Sequence, residues 1–206
     1  MWFLSIVLLG VSAYMSFSLF KRIKNLAKTN TEPDNSGQEL LIQNVRQGAV
    51  IHLRAIGADM EDFDLKVIGR HVYKQGNYEW YELECDKGGE KVWIDLEDDD
   101  EIELAIGMRK LKLNDLKITT SDLTHMDDEE EGSFTFEGET YYLEDSDSAV
   151  FLRNGEEAKA EKLYYWDFES DSGDKFIGVE KWGNKEYSVT LSESIDLNQV
   201  TVFSLS

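Results

Sequence analysis

A chain of 206 residues with 41% hydrophobic and 12% aromatic content can bury a substantial core, and it suits one large domain or two small ones. Its 42 acidic and 21 basic side chains give a formal net charge of −21, which disfavours nucleic acid and anionic lipid as partners and favours basic protein surfaces, metal ions or polyamines. A single cysteine, Cys85, rules out an intrachain disulfide and fits a reducing compartment.

Residues 1–20 carry no charged side chain. Twenty helical residues span about 30 Å, the thickness of a bilayer core. Lys21, Arg22, Lys24 and Lys28 follow, and no acid occurs in the first 30 residues, so the rest of the chain holds 17 basic and 42 acidic residues, a net of −25. A cleaved signal peptide would put its basic residues before the apolar run and a small-residue site after it. Neither is present. Residues 1–28 therefore read as an uncleaved single-pass transmembrane anchor with a basic flank. The excess of positive charge on the C-terminal side places the body in the cytoplasm at the inner membrane, with the N-terminus outside. Gly10, Ser12 and Ser16 form a stripe of small residues suited to packing on another membrane helix.

Residues 29–38 contain the only proline, Pro33, and read as a linker. The Ser36-Gly-Gln-Glu39 capping-box pattern, followed by Leu40, Leu41 and Val45 and stopped by Gly48, predicts a short amphipathic helix.

From Ala49 onward the patterns are strand-like. The clearest is a hairpin turning at Gly88-Gly89, since two-residue turns need positive φ at their centre. That turn pairs Cys85 with Val92, Leu83 with Ile94 and Tyr81 with Leu96 on an apolar face. The opposite face pairs Glu84 with Trp93, Glu82 with Asp95 and Trp80 with Glu97. Residues 165–182 repeat the pattern in weaker form. With a turn at Gly173-Asp174, Phe168 faces Val179 and Asp167 faces Glu180. Two acidic pairs at equivalent places are expected on a solvated face, or offset by a bound cation. The abundance of strands and scarcity of helix predict an all-β body. Its organisation is expected to be two related small barrel or bent-sheet units in tandem, residues 39–118 and 133–206, joined by an exposed acidic connection at 119–132.

The segments Gly48-Ala-Val50, Leu65-Lys-Val67-Ile68-Gly69, Trp80-Tyr-Glu82-Leu83, Val92-Trp93-Ile94, Phe136-Glu-Gly138-Glu-Thr-Tyr141 and Val179-Glu180-Lys-Trp182 resemble a bacterial and archaeal family, the domain of unknown function 4178. The resemblance covers about residues 45–203. It implies no activity and no catalytic or binding residue that could be carried over. It does imply a link to membrane stress or remodelling.

Motifs of chemistry are missing. No HExxH, GxSxG, P-loop or GxGxxG occurs. His52, His71 and His125 have no short metal-ligand spacing. Cys85 shares the apolar face of its hairpin and reads as a core residue. A calcium loop starting at Asp95 would need glycine at Asp100 and glutamate at Ile106, and one starting at Glu169 would need glycine at Asp174. Neither stretch fits. No cofactor and no catalytic residue is expected. Glu82, Asp95, Asp167 and Glu180 remain as cation candidates. Trp80 and Trp93, aromatics among acids, suit a protein interface or a cationic ligand, unless a second β-layer covers them.

The leading expectation is a non-enzymatic accessory or scaffold protein of a membrane complex, meeting an integral membrane protein or a basic surface. The alternative is a module binding polyamines or divalent cations. An enzyme of unrecognised type is the third reading.

Overall fold

The computed structural model describes residues 39–98, 101–183 and 186–206. The anchor expected at 1–28, with Gly10, Ser12 and Ser16, and the linker at 29–38 lie outside the described residues. No helix among the described residues is long and apolar enough to cross a membrane.

The described residues are mostly strand: β1 (Val50–Ile56), β2 (Glu61–Gln75), β3 (Tyr78–Lys87), β4 (Glu90–Asp98), β5 (Ile102–Leu111), β6 (Ser133–Phe136), β7 (Glu139–Leu152), β8 (Ala160–Ser170), β9 (Lys175–Trp182), β10 (Glu186–Ser194) and β11 (Val200–Ser204). One α-helix, α1 (Thr120–Glu129), interrupts them. The expected helix after Glu39 is replaced by a single 3-10 turn at Ile42–Asn44, without a side-chain cap. Only Ile42 and Val45 there reach the core, while Leu40 and Leu41 stay exposed.

The expectation of two tandem units is overturned by a single eleven-stranded sheet ordered β11-β1-β2-β3-β4-β5-β10-β9-β8-β7-β6, with an added pairing of β2 to β7. The added pairing closes eight antiparallel strands, β2-β3-β4-β5-β10-β9-β8-β7, into a barrel. Each half of the chain supplies a four-stranded meander, and the two seams are β5–β10 and β2–β7. The halves are not separate because each meander alone would leave two bare edges. Strand β2 is long enough to serve both purposes. Its first half pairs β1, and Val72, Tyr73 and Lys74 near its end pair Leu152, Phe151 and Val150. A bulge between Val67 and Gly69 separates the two parts.

The β3–β4 hairpin has the expected register, with Glu82 opposite Asp95 and Leu83 opposite Ile94. Gly88 and Gly89 both take positive φ, +64° and +102°. The β8–β9 register is two residues away from the expected one. Phe168 faces Ile177, Asp167 faces Gly178 and Tyr165 faces Glu180. The cause is a four-residue turn at 171–174. The Gly173 amide donates to the Ser170 carbonyl at 2.9 Å, and the Lys175 amide donates to Ser170 Oγ at 3.1 Å. A slip of two residues keeps every side chain on its face.

Two apolar clusters lie on the outer faces of the meanders. The first holds Leu65, Val67, Leu83, Cys85, Ile94, Leu96, Leu104 and Ile106 under β1, β11 and the 3-10 turn. The second holds Trp166, Phe168, Ile177, Val179 and Val189 under Leu116, Ile118, Phe134 and Leu123 of α1. The acidic connection is thus largely a capped helix. The Asp122 amide donates to Thr119 Oγ1 at 3.3 Å, and the Thr119 amide donates to Asp122 at 2.7 Å.

Candidate functional site: an acidic, aromatic barrel interior

Strand alternation sends the residues between these apolar positions inward. They are His71, Tyr73 and Gln75 of β2, Trp80, Glu82 and Glu84 of β3, and Trp93, Asp95 and Glu97 of β4. From the other meander come Leu163, Tyr165 and Asp167 of β8, with Glu180 and Trp182 of β9. The two hairpins face each other across the barrel. The cation candidates Glu82, Asp95, Asp167 and Glu180 therefore share one interior instead of two open solvated faces. Glu82, Asp95 and Glu180 are half-buried, and Asp167 is exposed.

Side chains from six strands tie the set together. The Tyr73 hydroxyl donates to Glu180 Oε1 at 3.0 Å and lies 3.5 Å from Glu82 Oε2. Trp182 Nε1 donates to Glu180 Oε2 at 3.1 Å. The Tyr165 hydroxyl donates to Asp145 Oδ2 at 2.7 Å and stands 3.0 Å from Gln75 Oε1. Tyr78 hydrogen-bonds Glu97. Around the acids the rings pack on one another. Trp80 stacks on Tyr73 with centroids 5.1 Å apart and meets Tyr165 edge-on at 5.7 Å. Phe151 meets Trp182 edge-on at 5.2 Å. Trp80 is thus enclosed by the opposite wall of the barrel. Trp93 is half-buried, 5.9 Å from the His71 ring.

Gathering carboxyls in such a place disfavours their charged form. Burial raises Asp95 to about 7, with help from Glu180 and Glu97 and against the pull of Lys110. Burial also lifts Glu82 well above the usual carboxylate range, and Asp95 and Glu180 add to it. Asp167, although water reaches it, is crowded by the walls around it and is raised as well, first by that desolvation and then by Glu97, Glu180 and Asp145. Glu180 is raised by burial, and its bonds from Tyr73 and Trp182 work in the other direction. The interior can thus hold protons near neutral pH, or take up a cation in their place.

Beside this set lies His71, buried between Trp93 and Phe151. Its Nδ1 accepts the Asn154 amide at 3.1 Å, so Nε2 carries the proton and donates to Glu84 at 3.3 Å. Burial lowers its pKa. His52 instead pairs Asp64 at 2.7 Å outside the barrel. Among the described residues, no group of three or more His, Cys, Asp or Glu side chains is arranged to hold a metal ion.

Sequence reading found the four carboxylates but missed their partners. Tyr73 and Tyr165 follow from the same parity as Trp80 and Asp167, a signal present in the strands. Asp145 and Lys110 break the alternation of their strands, because each follows a bulge, between Leu143 and Asp145 in β7 and between Gly107 and Arg109 in β5.

Residues 57–197 match the family described as Domain of unknown function (DUF4178). No curated protein and no solved structure matches the chain.

Proposed function

For this chain, which belongs to the DUF4178 family, we propose a non-enzymatic binding role in which the barrel interior recognises an organic cation of the polyamine class. One observation carries the reading: carboxylates from both meanders converge in an interior walled by Trp80, Tyr73, Tyr165 and Trp182. Alkylammonium groups suit such a place. Carboxylates neutralise them, aromatic faces attract them through the ring quadrupole, and their methylene stems tolerate apolar walls. A spread of acids around a ring of strands suits an extended, multiply charged ligand better than a compact divalent ion, which wants six or more oxygens at one point. Binding would displace the protons that raised carboxyls hold, so affinity should strengthen as pH rises through about 7.

The test is calorimetry on the full-length protein with spermidine, at physiological salt and pH 8. Saturable binding that weakens about tenfold in Glu82→Gln and Asp167→Asn is expected. No saturable heat, or an affinity in both variants unchanged from that of the parent protein, removes the reading.

A second reading, an accessory subunit at the cytoplasmic membrane, is favoured by the uncharged residues 1–20 and the basic cluster after them. The basic segment of a partner would then supply the cation. Purification of the tagged protein from native membranes tests this. A stoichiometric membrane protein that is lost when residues 1–28 are removed supports it, and its absence removes it.

A further inference from the structure

The acidic interior has an amine of its own, and a bulge puts it there. Leu191 pairs Arg109 and Ser192 pairs Gly107, so Met108 is an extra residue in β5. Regular alternation from Gly107 would send Arg109 inward. The extra residue shifts the parity by one. Arg109 therefore lies on the outer face with Leu191, which packs on the second apolar cluster, and Lys110 stands inward opposite Thr190 of β10.

From Lys110 a row of interior positions crosses the sheet. Thr190 faces Gly178 of β9, and Gly178 faces Asp167 of β8. Gly178 does not take positive φ, and a Cβ there would meet only Asp167 Oδ1, at 3.5 Å. Neither backbone nor packing demands glycine at this place. Its effect is a bare stretch of wall between the amine of Lys110 and the carboxyl of Asp167. The amine is tethered without being locked. Water reaches Lys110, and its Nζ donates to the neutral Thr190 hydroxyl at 2.7 Å. Lys91 shares the interior parity of β4, but Glu84 takes it up in an ion pair.

The field of Lys110 falls on carboxyls of both meanders. It favours the charged forms of Asp95, Glu82 and Glu180, against the burial that raises all three. The charges that act most on Asp167 are all acids: Glu97, Glu180, Asp145 and Asp95. The interior thus has a half with a resident ammonium and a half, around Asp167, without one. We propose that Lys110 is the built-in counter-ion of the barrel interior, a tethered amine that holds the place of one ligand ammonium and swings aside when a longer ligand fills both halves. The inference rests on the cation reading and names what sets its specificity. One ammonium enters the Asp167 half unopposed, and the next must compete with Lys110.

The test has one arm with ligand and one without, both on the full-length protein. In the first, spermidine is titrated into the parent, Lys110→Gln, Lys110→Arg and Lys162→Gln, the last an exposed lysine of β8. Removing a competing charge tightens binding, so Lys110→Gln should bind at least about fivefold more strongly at pH 9, while Lys110→Arg and Lys162→Gln match the parent. The gain should shrink toward pH 7, because protons then settle on the carboxyls that Lys110 kept ionised. Unchanged or weaker binding by Lys110→Gln at pH 9 overturns the proposal. In the second arm, NMR of the side-chain carboxyl carbons follows Asp95 through its titration in the ligand-free protein. Its midpoint should move upward from about 7 in Lys110→Gln and stay in Lys110→Arg. An unmoved midpoint in Lys110→Gln overturns the proposal. The two readings fail separately. No saturable heat in any of the proteins removes the polyamine reading, and the titration of Asp95 still decides whether Lys110 is the counter-ion.

Discussion

The Tyr73 hydroxyl of β2 donates to Glu180 of β9 at 3.0 Å, joining two strands that are not neighbours in the sheet. It also reaches toward Glu82 at 3.5 Å, so one hydroxyl separates two carboxyls from different meanders. Tyr73→Phe keeps the ring stacked on Trp80 but removes that donor. A charge-assisted bond in a half-buried site is worth about 1–2 kcal/mol, and a domain of this size loses about 2–4 °C of melting temperature per kcal/mol. The expected outcome is a thermal midpoint lower by a few degrees at pH 8. The loss should shrink at low pH, where Glu180 is protonated and needs the donor less.

Stability should rise as pH falls from about 8 to about 6.5. Asp95 has an ordinary pKa of 3.8 and is raised to about 7 in the folded protein. Between those values the folded state holds the extra proton, so this contribution is full below about 3.8 and is lost as pH rises through about 7. Glu82 and Asp167, also raised, act in the same direction. Below about 6.5 the lowered pKa of His71 opposes them, because the unfolded chain then takes up its proton more readily. At still lower pH the depressed Glu84 carboxyl adds to that loss. Urea midpoints measured from pH 8 to pH 4 should keep rising as pH falls, less steeply below about 6.5 because His71 opposes the more numerous raised carboxyls, and a flat profile between 8 and 6.5 would remove the account of the acidic interior.

Asp95→Asn isolates one member of this set. The neutral amide cannot repel Glu180 or Glu82, so the variant should melt at least a few degrees higher than the parent at pH 8. The difference should fade toward pH 5, where Asp95 is already protonated. If the variant is instead less stable at pH 8, the carboxylate has a partner that matters more than the repulsion.

Local chemistry made part of this arrangement legible in the sequence. Gly88 and Gly89 mark their turn by themselves, and from that turn the whole β3–β4 register follows. The β8–β9 register was not legible, because the Ser170 hydroxyl stabilises a four-residue turn that resembles a two-residue one in outline. Alternation still assigned the faces, since a slip of two preserves them. The closure of the barrel was hidden altogether. Nothing in Val72-Tyr-Lys74 names Phe151 as its partner, and nothing in Leu111 names Val189. Without those seams, Glu82 and Asp167 read as residues of two wet surfaces, although they are opposite walls of one interior.

Cys85 offers a probe of these movements. It is fully buried in the outer cluster of the first meander, and burial pushes its thiol up to about 12. Thiolate is the reactive form, so a disulfide reagent at pH 8 should leave the native protein unmodified and react completely in denaturant. The slow native rate then reports opening of the β3–β4 sheet. Rapid labelling under native conditions would mean that this cluster is not closed.

The β2–β7 seam depends on a close approach at Gly69. A Cβ at that position would stand 2.8 Å from His71 Cε1 and 3.0 Å from Asn154 Oδ1. Both are held where they are: His71 bonds Glu84 and the Asn154 amide, and Asn154 Oδ1 accepts the Arg70 amide at 3.2 Å. Gly69→Ala therefore forces the ring or the 153–155 turn aside, and overpacking of this kind costs about 1–3 kcal/mol. The melting temperature should fall by about 2–10 °C. Amide exchange at Asn154 and along residues 150–152 should accelerate more than exchange in β3 and β4, because the seam opens before the meander does. Uniform acceleration across the barrel would show that the seam has no independent opening, and that the eight strands unfold as one unit.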